Sequence, residues 1–283
     1  MNFKELRQHF TTEISDLFSH EESLSLFYNI LEHLTGWKRS DYMMNSSESV
    51  EMFQQTAFLE FGKELKGGKP IQYVLGETFF YGLKFFVNQD VLIPRPETEE
   101  LVQWILDEYP QSQASQEISI LDVGTGSGCI AVSLQKKISL ADVSAMDVSK
   151  SALEVASKNA EFNGVRLNLI QADILAYKSD IHYDIIVSNP PYIRNEEQKE
   201  MHENVLGFEP HLALFVENKN PLVFYKAIAD FALTNLNTNG NLFFEINESF
   251  GQEMIDMLDV KGFKNIELKK DMQLKDRMIC CTK

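Results

Sequence analysis

From residue 118 onward, short apolar runs alternate with stretches of helical spacing. The runs are ISILDV (118–123), DVSAMDV (142–148), LNLIQA (167–172), YDIIVS (183–188), NLFFEI (241–246), FKNIEL (263–268) and RMICCT (277–282). Helical patterns lie between most of them, notably at 149–162, 221–236 and 249–259. Strands that are apolar on both faces need cover on both faces. The expected fold class is therefore α/β, a doubly wound sheet between layers of helix. The last two runs have no clear helix between them and are expected to pair antiparallel at one edge.

Ahead of this region the pattern is different. Apolar residues recur at helical spacing as Phe3, Leu6, Phe10 and Ile14, then as Leu24, Phe27, Ile30, Leu31 and Leu34. Gly36 suits a helix stop, and a later helix carries Val50, Phe53, Ala57, Leu59 and Phe61 towards Gly67-Gly68. With no proline before Pro70, a small N-terminal helical bundle is expected. The run IQYVLGETFFYGLKFFVNQDVLI is rich in aromatic and β-branched residues and broken by Gly76 and Gly82. It reads as a β-hairpin or short sheet. Pro94-Arg95-Pro96-Glu97-Thr98-Glu99 then places proline and acids where a helix begins. The 283 residues are expected to divide into a helical domain (1–69), a β-hairpin linker (70–93) and the α/β domain (94–283).

Composition excludes several functions. Lysine and arginine number 26 against 42 aspartates and glutamates, a formal net charge of −16. Binding to nucleic acid draws most of its affinity from phosphate neutralisation, so no direct nucleic-acid partner is expected. An acidic surface suits a basic or neutral protein partner, or serves solubility alone. Cys129, Cys280 and Cys281 form no CxxC pair, and the six histidines are scattered, so neither a disulfide framework nor a metal site is expected. The start MNFKELRQHF is charged and amphipathic rather than signal-like, and no run of about 18 apolar residues occurs. The expectation is a cytoplasmic monomer with no membrane span.

The segment ILDVGTGSGCIAV combines a strand, a glycine-rich turn and a helix. Gly124, Gly126 and Gly128, with Thr125 and Ser127 between them, leave room for a ligand to approach the backbone. Asp147 falls at the end of the next expected strand, 25 residues after Asp122. A carboxylate there can accept hydrogen bonds from two ribose hydroxyls. Two cofactors fit such a turn. A nicotinamide dinucleotide normally uses G-x-G-x-x-G, whereas the spacing here is G-x-G-x-G with Asp122 ahead of it. A carboxylate at that place can support a cationic amino-acid tail. S-adenosyl-L-methionine has such an ammonium and no pyrophosphate.

Asn189-Pro190-Pro191-Tyr192 directly follows YDIIVS. Two prolines end the strand and fix the backbone. The side-chain oxygen of Asn189 and the carbonyl of Pro190 can then face one pocket, with the Tyr192 ring as a flat wall. Two fixed acceptors of this kind bind the two N–H groups of a planar amide or amine. They aim the nitrogen at a donor and stabilise the positive charge that develops on it. Positioning at about 3–3.5 Å supplies much of the catalysis in such a displacement.

The chain resembles the bacterial release factor glutamine methyltransferase family over nearly its whole length. The resemblance rests on PIQYVLGETFFYGLKFFV (70–87), VLIPRPETEELV (91–102), LDVGTGSG (121–128), SNPPYI (188–193) and FEPHLALF (208–215). It implies a class I S-adenosyl-L-methionine-dependent methyltransferase domain behind a helical domain that helps grip the substrate. The implied substrate is the glutamine of the Gly-Gly-Gln motif in class-1 peptide chain release factors. By the same resemblance, Gly124 to Gly128 wrap the methionine part of the cofactor and Asp147 holds the ribose. Asp173 or Ile174 borders the adenine, and Thr98 with the Pro94–Pro96 segment covers the cofactor. Asn189 to Tyr192 bind the glutamine amide, with residues 194–212 as a mobile loop beside them. Two related chemistries use a similar acceptor motif: methylation of a ribosomal-protein glutamine and N6-methylation of DNA adenine. The PRPETE string at 94–99 favours the release-factor branch over the first, and the net charge of −16 disfavours the second.

Overall fold

Two capping boxes open the chain. In the computed structural model, which describes residues 1–109, 117–201 and 203–283, helix α1 (Phe3–Glu13) starts at Asn2, whose Oδ1 accepts from the Glu5 amide at 2.8 Å. Helix α2 (His20–Thr35) starts at Ser19 in the same way and stops at Gly36, where φ is +74°. Helices α3 (Arg39–Asn45), α4 (Met52–Lys66) and α5 (Ile71–Leu75) follow. Phe10, Phe27 and Phe58 pack edge-on and stacked at the centre of this bundle. One compact unit comprises Met1–Gly76 and the short helix Glu203–Phe208.

The stretch 70–93 departs from its expected form. A hairpin is present, made of β1 (Glu77–Phe80) and β2 (Leu83–Phe86), but Ile71–Leu75 is helical. Pro70 begins that turn of helix and Gly76, at φ +69°, ends it. Its β-prone composition is overridden by packing, because Val74 is buried in the helical cluster with Ile71 and Leu75 against it.

The second unit spans Glu77–Met201 and Glu209–Lys283. Its elements are α6 (Pro96–Glu108), β3 (Ile118–Val123), α7 (Cys129–Lys137), β4 (Ala141–Asp147), α8 (Lys150–Phe162), β5 (Asn168–Gln171) and β6 (Tyr183–Ser188). After β7 (Ile193–Arg194), a 3-10 turn (Asn195–Glu200) and α9 (Glu203–Phe208) come α10 (His211–Leu214), β8 (Phe215–Val216) and α11 (Val223–Asn235). The chain closes with β9 (Leu236–Glu245), α12 (Gly251–Lys261), β10 (Lys264–Lys270) and β11 (Asp276–Thr282). The segment expected as a loop at 194–212 is thus largely short helical turns, with His202 outside the described residues.

Seven strands form one sheet in the order β10-β11-β9-β6-β3-β4-β5. The five from β9 to β5 are parallel, while β11 and β10 pair antiparallel at one edge. One face carries Leu101, Trp104 and Ile105 of α6 and Ile130 and Leu134 of α7. Tyr225 and Ile228 of α11 and Met254 and Leu258 of α12 cover the other. Strand β9 begins five residues earlier than its apolar run, because Asn-Thr-Asn-Gly reads as a turn in sequence. In the structure Asn239 takes φ +64° and the register shifts beside it, so the irregular stretch still pairs. Among the described residues no helix is long and apolar enough to cross a membrane.

Gly128 caps α7 at φ +79°, and a Cβ there would stand 3.1 Å from Ala156 Cβ on α8. Gly128→Ala is expected to cost about 1–3 kcal/mol through the left-handed backbone and that contact. A urea melt checks this, and an unchanged midpoint contradicts it.

Candidate active site

The sheet order locates the site. From β3 the chain moves outward through β4 to β5, then returns to lay β6 on the other side of β3. Open parallel sheets bind ligands at the carboxyl ends of the strands near such a reversal. A cavity of about 390 Å3 lies there. Its walls include the residues just after β3 (Gly124, Thr125, Gly126, Ser127), β4 (Val148, Ser149), β5 (Ala172, Asp173, Ile174) and β6 (Asn189, Pro190, Pro191).

Backbone hydrogen bonds hold the glycine turn. The amides of Gly124 and Thr125 both donate to the Met146 carbonyl, at 2.8 and 2.9 Å. Gly124 and Gly126 lie at φ +74° and +53°, and a Cβ built on either meets nothing within 4 Å. The turn therefore presents bare backbone to open space, which is what a ligand lying against it requires. Thr125 Oγ1 donates to Asp122 Oδ2 at 2.6 Å. The side chain of Asn159 donates to the Ser127 carbonyl at 2.8 Å and pairs with both the amide and the carbonyl of Phe86. That residue ties the turn to strand β2.

Asp147 ends β4 with one oxygen accepting from the Gly126 amide and the other from the Ser149 amide, each at 2.9 Å. Each carboxylate oxygen keeps a further lone pair. Burial raises its pKa, against the opposing pull of those backbone donors. Asp90, Asp147 and Asp173 all line the cavity, and the lining Arg95 is paired with Glu209 at 2.6 Å. This charge arrangement suits a cationic ligand better than a pyrophosphate.

At the end of β6, the strand stops at Ser188 and Pro190 is buried. The Asn189 side chain donates through Nδ2 to Thr98 Oγ1 at 3.2 Å, and Thr98 donates to Glu245 Oε2 at 2.6 Å. The Tyr192 hydroxyl donates to Glu245 Oε1 at 3.2 Å. Burial and the neighbouring Glu245 raise the pKa of Tyr192, so it remains a protonated donor. Glu209 is buried and accepts from the Ile93 amide at 3.3 Å as well as from Arg95, which pins the Glu209–Pro210 corner to the segment ahead of α6.

Of the residues singled out from sequence, Thr98, Gly124, Thr125, Gly126, Ser127, Asp147, Asp173, Ile174, Asn189, Pro190 and Pro191 line this one cavity, together with Pro94 and Arg95 of the Pro94–Pro96 segment. Gly128 and Tyr192 fall outside its lining, the first packed on α8 and the second turned to Glu245. Sequence reasoning missed Glu245, Asn159 and the Gln89–Leu92 stretch of the wall. Glu245 carried a signal: it is the lone acid in the apolar run NLFFEI. Asn159 carried none, since a polar residue on a helix ordinarily faces solvent.

Comparison with known proteins first gives the class. Residues 102–207 match the model of the Methyltransferase small domain, and residues 5–76 match the PrmC N-terminal domain. A solved methyltransferase from Pyrococcus furiosus shares the fold, with TM-score 0.53 and 17% identity over 82% of this chain and 98% of that one. A human methyltransferase 10 domain containing protein does so at TM-score 0.53 and 20% identity, over 71% and 89% of the two chains. The chain is a methyltransferase.

Full-length relatives give the family. Release factor glutamine methyltransferase of Flavobacterium psychrophilum is 48% identical over 99% of this chain and 98% of its own length. That of Bacteroides thetaiotaomicron is 39% identical over 94% and 95%. The chain belongs to the release factor glutamine methyltransferase family.

Burial pushes Asp122 up from its ordinary value of 3.8 to about 7, although Thr125 donates to it. The folded state then keeps a proton that the unfolded chain releases at lower pH. The stability this contributes is full below about pH 3.8 and is lost as pH rises through about 7. Asp122→Asn keeps an oxygen for Thr125 and cannot titrate. Its melting temperature relative to the parent is expected to rise between about pH 5 and about pH 8. An offset that is the same at both pH values contradicts the assignment.

Proposed function

We propose that this enzyme methylates the side-chain amide nitrogen of a release-factor glutamine, the one in the Gly-Gly-Gln motif, with S-adenosyl-L-methionine as donor. One observation carries this reading: the glycine turn with Asp147 and the Asn189–Pro190 segment open onto the same cavity. A methyl donor and a planar nitrogen bound there meet without a carrier.

The residues fit the donor. Bare backbone at Gly124 and Gly126 admits its amino-acid part, and the free lone pairs of Asp147 accept from ribose hydroxyls. Ile174, Leu175 and Ile130 give the wall an apolar stretch for a purine, with Asp173 at its edge. When bound, S-adenosyl-L-methionine supplies an electrophilic methyl on a sulfonium.

What remains is set by the acceptor side. An amide nitrogen is a poor nucleophile because its lone pair is delocalised into the carbonyl. Asn189 Oδ1 and the Pro190 carbonyl accept from the two N–H groups and hold the amide plane. They also stabilise the charge that grows on nitrogen as the new N–C bond forms and the donor's S–C bond breaks, the sulfur leaving as a neutral thioether. One of the two amide protons is then released to solvent. Pro191 stiffens the backbone behind them. Tyr192 braces the segment through Glu245. In this reading the helical unit grips the release factor outside its glutamine loop.

Incubating the organism's release factors with the protein and methyl-labelled S-adenosyl-L-methionine, followed by mass spectrometry, is expected to add one methyl to the Gly-Gly-Gln peptide. Label on glutamine of another protein alone would refute the substrate, and label on DNA alone the chemistry. Asn189→Ala is expected to lower turnover by about 100-fold or more with the fold intact; ordinary turnover by the folded variant contradicts its role. Asp147→Ala is expected to weaken cofactor binding by about 10-fold or more, since a charged acceptor is lost, and calorimetry showing unchanged affinity removes the ribose assignment.

A further inference from the structure

Both ends of the Asn189–Tyr192 segment are tied to one buried carboxylate. The parallel register that sets Phe244 opposite Ser188 carries Glu245 to the level of Asn189. Glu245 is 1% exposed and Thr98 2%. Glu245 Oε2 accepts from Thr98 and Oε1 from Tyr192, while Thr98 Oγ1 accepts from Asn189 Nδ2. Burial raises the pKa of Glu245, opposed by the hydrogen bonds from Thr98 and Tyr192 and by the positive charge of Arg277, and both hydroxyls point their protons at the carboxylate.

The direction of these bonds has a consequence for Asn189. An ionised carboxylate only accepts. Thr98 has a single hydroxyl proton, and it is given to Glu245. Only lone pairs of Thr98 are left for Asn189, so the Asn189 amide must turn its NH2 group to Thr98. Its oxygen then faces away from Thr98. Rotated by half a turn, the same side chain would set its carbonyl against a lone pair of Thr98 and its own hydrogens against those of an incoming amide. An asparagine without such a partner has little preference between the two orientations.

We propose that Thr98 and Glu245 are positioning residues that fix the Asn189 side-chain amide with its oxygen towards the acceptor nitrogen. The proposal rests on the reading of Asn189 as the acceptor of the substrate amide. It gives Thr98 a different task from the cofactor cover that family resemblance implies. Glu245 acts through Thr98, and it holds Tyr192 at the same time.

Thr98→Val keeps the shape and removes the hydroxyl, and Glu245→Met keeps the length and removes both acceptors. Each is expected to lower kcat about 10- to 100-fold, the scale of a misplaced reacting group. The dissociation constant of S-adenosyl-L-methionine should stay within about threefold, because no bond to the donor is removed. Thr98→Ser, which retains the required oxygen, should stay within about fivefold of the parent kcat. A Thr98→Val enzyme with parental kcat overturns the proposal, as does a loss seen wholly as weaker donor binding. If Glu245→Met does not fold, Thr98→Val decides alone.

A parent enzyme inactive on release factors would count against the proposed substrate instead. The relay is then read without any acceptor, from the 15N-edited signals of the Asn189 side-chain NH2. Solvent exchange of these protons is expected to be about tenfold slower in the parent than in Thr98→Val, as for a retained hydrogen bond. Equal exchange in the two proteins overturns the proposal.

Discussion

A carboxyl group taken out of water must find donors, and Glu245 finds them on elements far apart in sequence. Thr98 comes from the first turn of α6 and Tyr192 from the segment after β6. Tyr225 of α11 donates to the Glu245 main-chain carbonyl at 3.0 Å. Helices from both faces of the sheet and the acceptor motif are thereby joined at the end of one central strand. The strand order makes this possible, since β9 lies directly beside β6. Removing any one of these donors would leave a buried polar group unmatched, which is why the local geometry is confined to a single arrangement.

The same sheet end separates two kinds of recognition. On the side of β3, β4 and β5, bare glycine backbone and carboxylates line the wall, which in the proposed function suits a cation with hydroxyl groups to share. Towards β6 the wall is formed by Asn189 and Pro190, whose neutral oxygens, in the proposed function, receive the hydrogens of a planar nitrogen. A carboxylate in direct contact with that nitrogen would bind it more tightly before reaction. Neutral acceptors held in fixed directions instead strengthen their bonds as charge develops, which favours the transition state over the ground state.

Much of this was legible in the sequence. The runs at 118–123 and 183–188 coincide with β3 and β6, because parallel central strands are apolar on both faces and stand out from their surroundings. The glycine turn and Asn189–Pro190–Pro191 were visible because each requires unusual residues at fixed places. Ile71–Leu75 was not legible as helix, since its β-prone side chains are satisfied by the bundle around them. Nor was the start of β9, where a turn-like sequence is held in the sheet by its neighbours. Asn159 and Tyr192 show the limit of reading side chains along the chain. Their partners, Phe86 and Glu245, lie 73 and 53 residues away. Only the packed structure brings such pairs together.

The central claim is that Asn189 Oδ1 and the Pro190 carbonyl jointly accept the two hydrogens of a glutamine amide. A crystal structure with S-adenosyl-homocysteine and a Gly-Gly-Gln peptide tests it most directly. The account predicts the glutamine nitrogen at hydrogen-bonding distance, about 2.7–3.2 Å, from both oxygens. A glutamine whose carbonyl oxygen, rather than its nitrogen, meets the Asn189 side chain would contradict it.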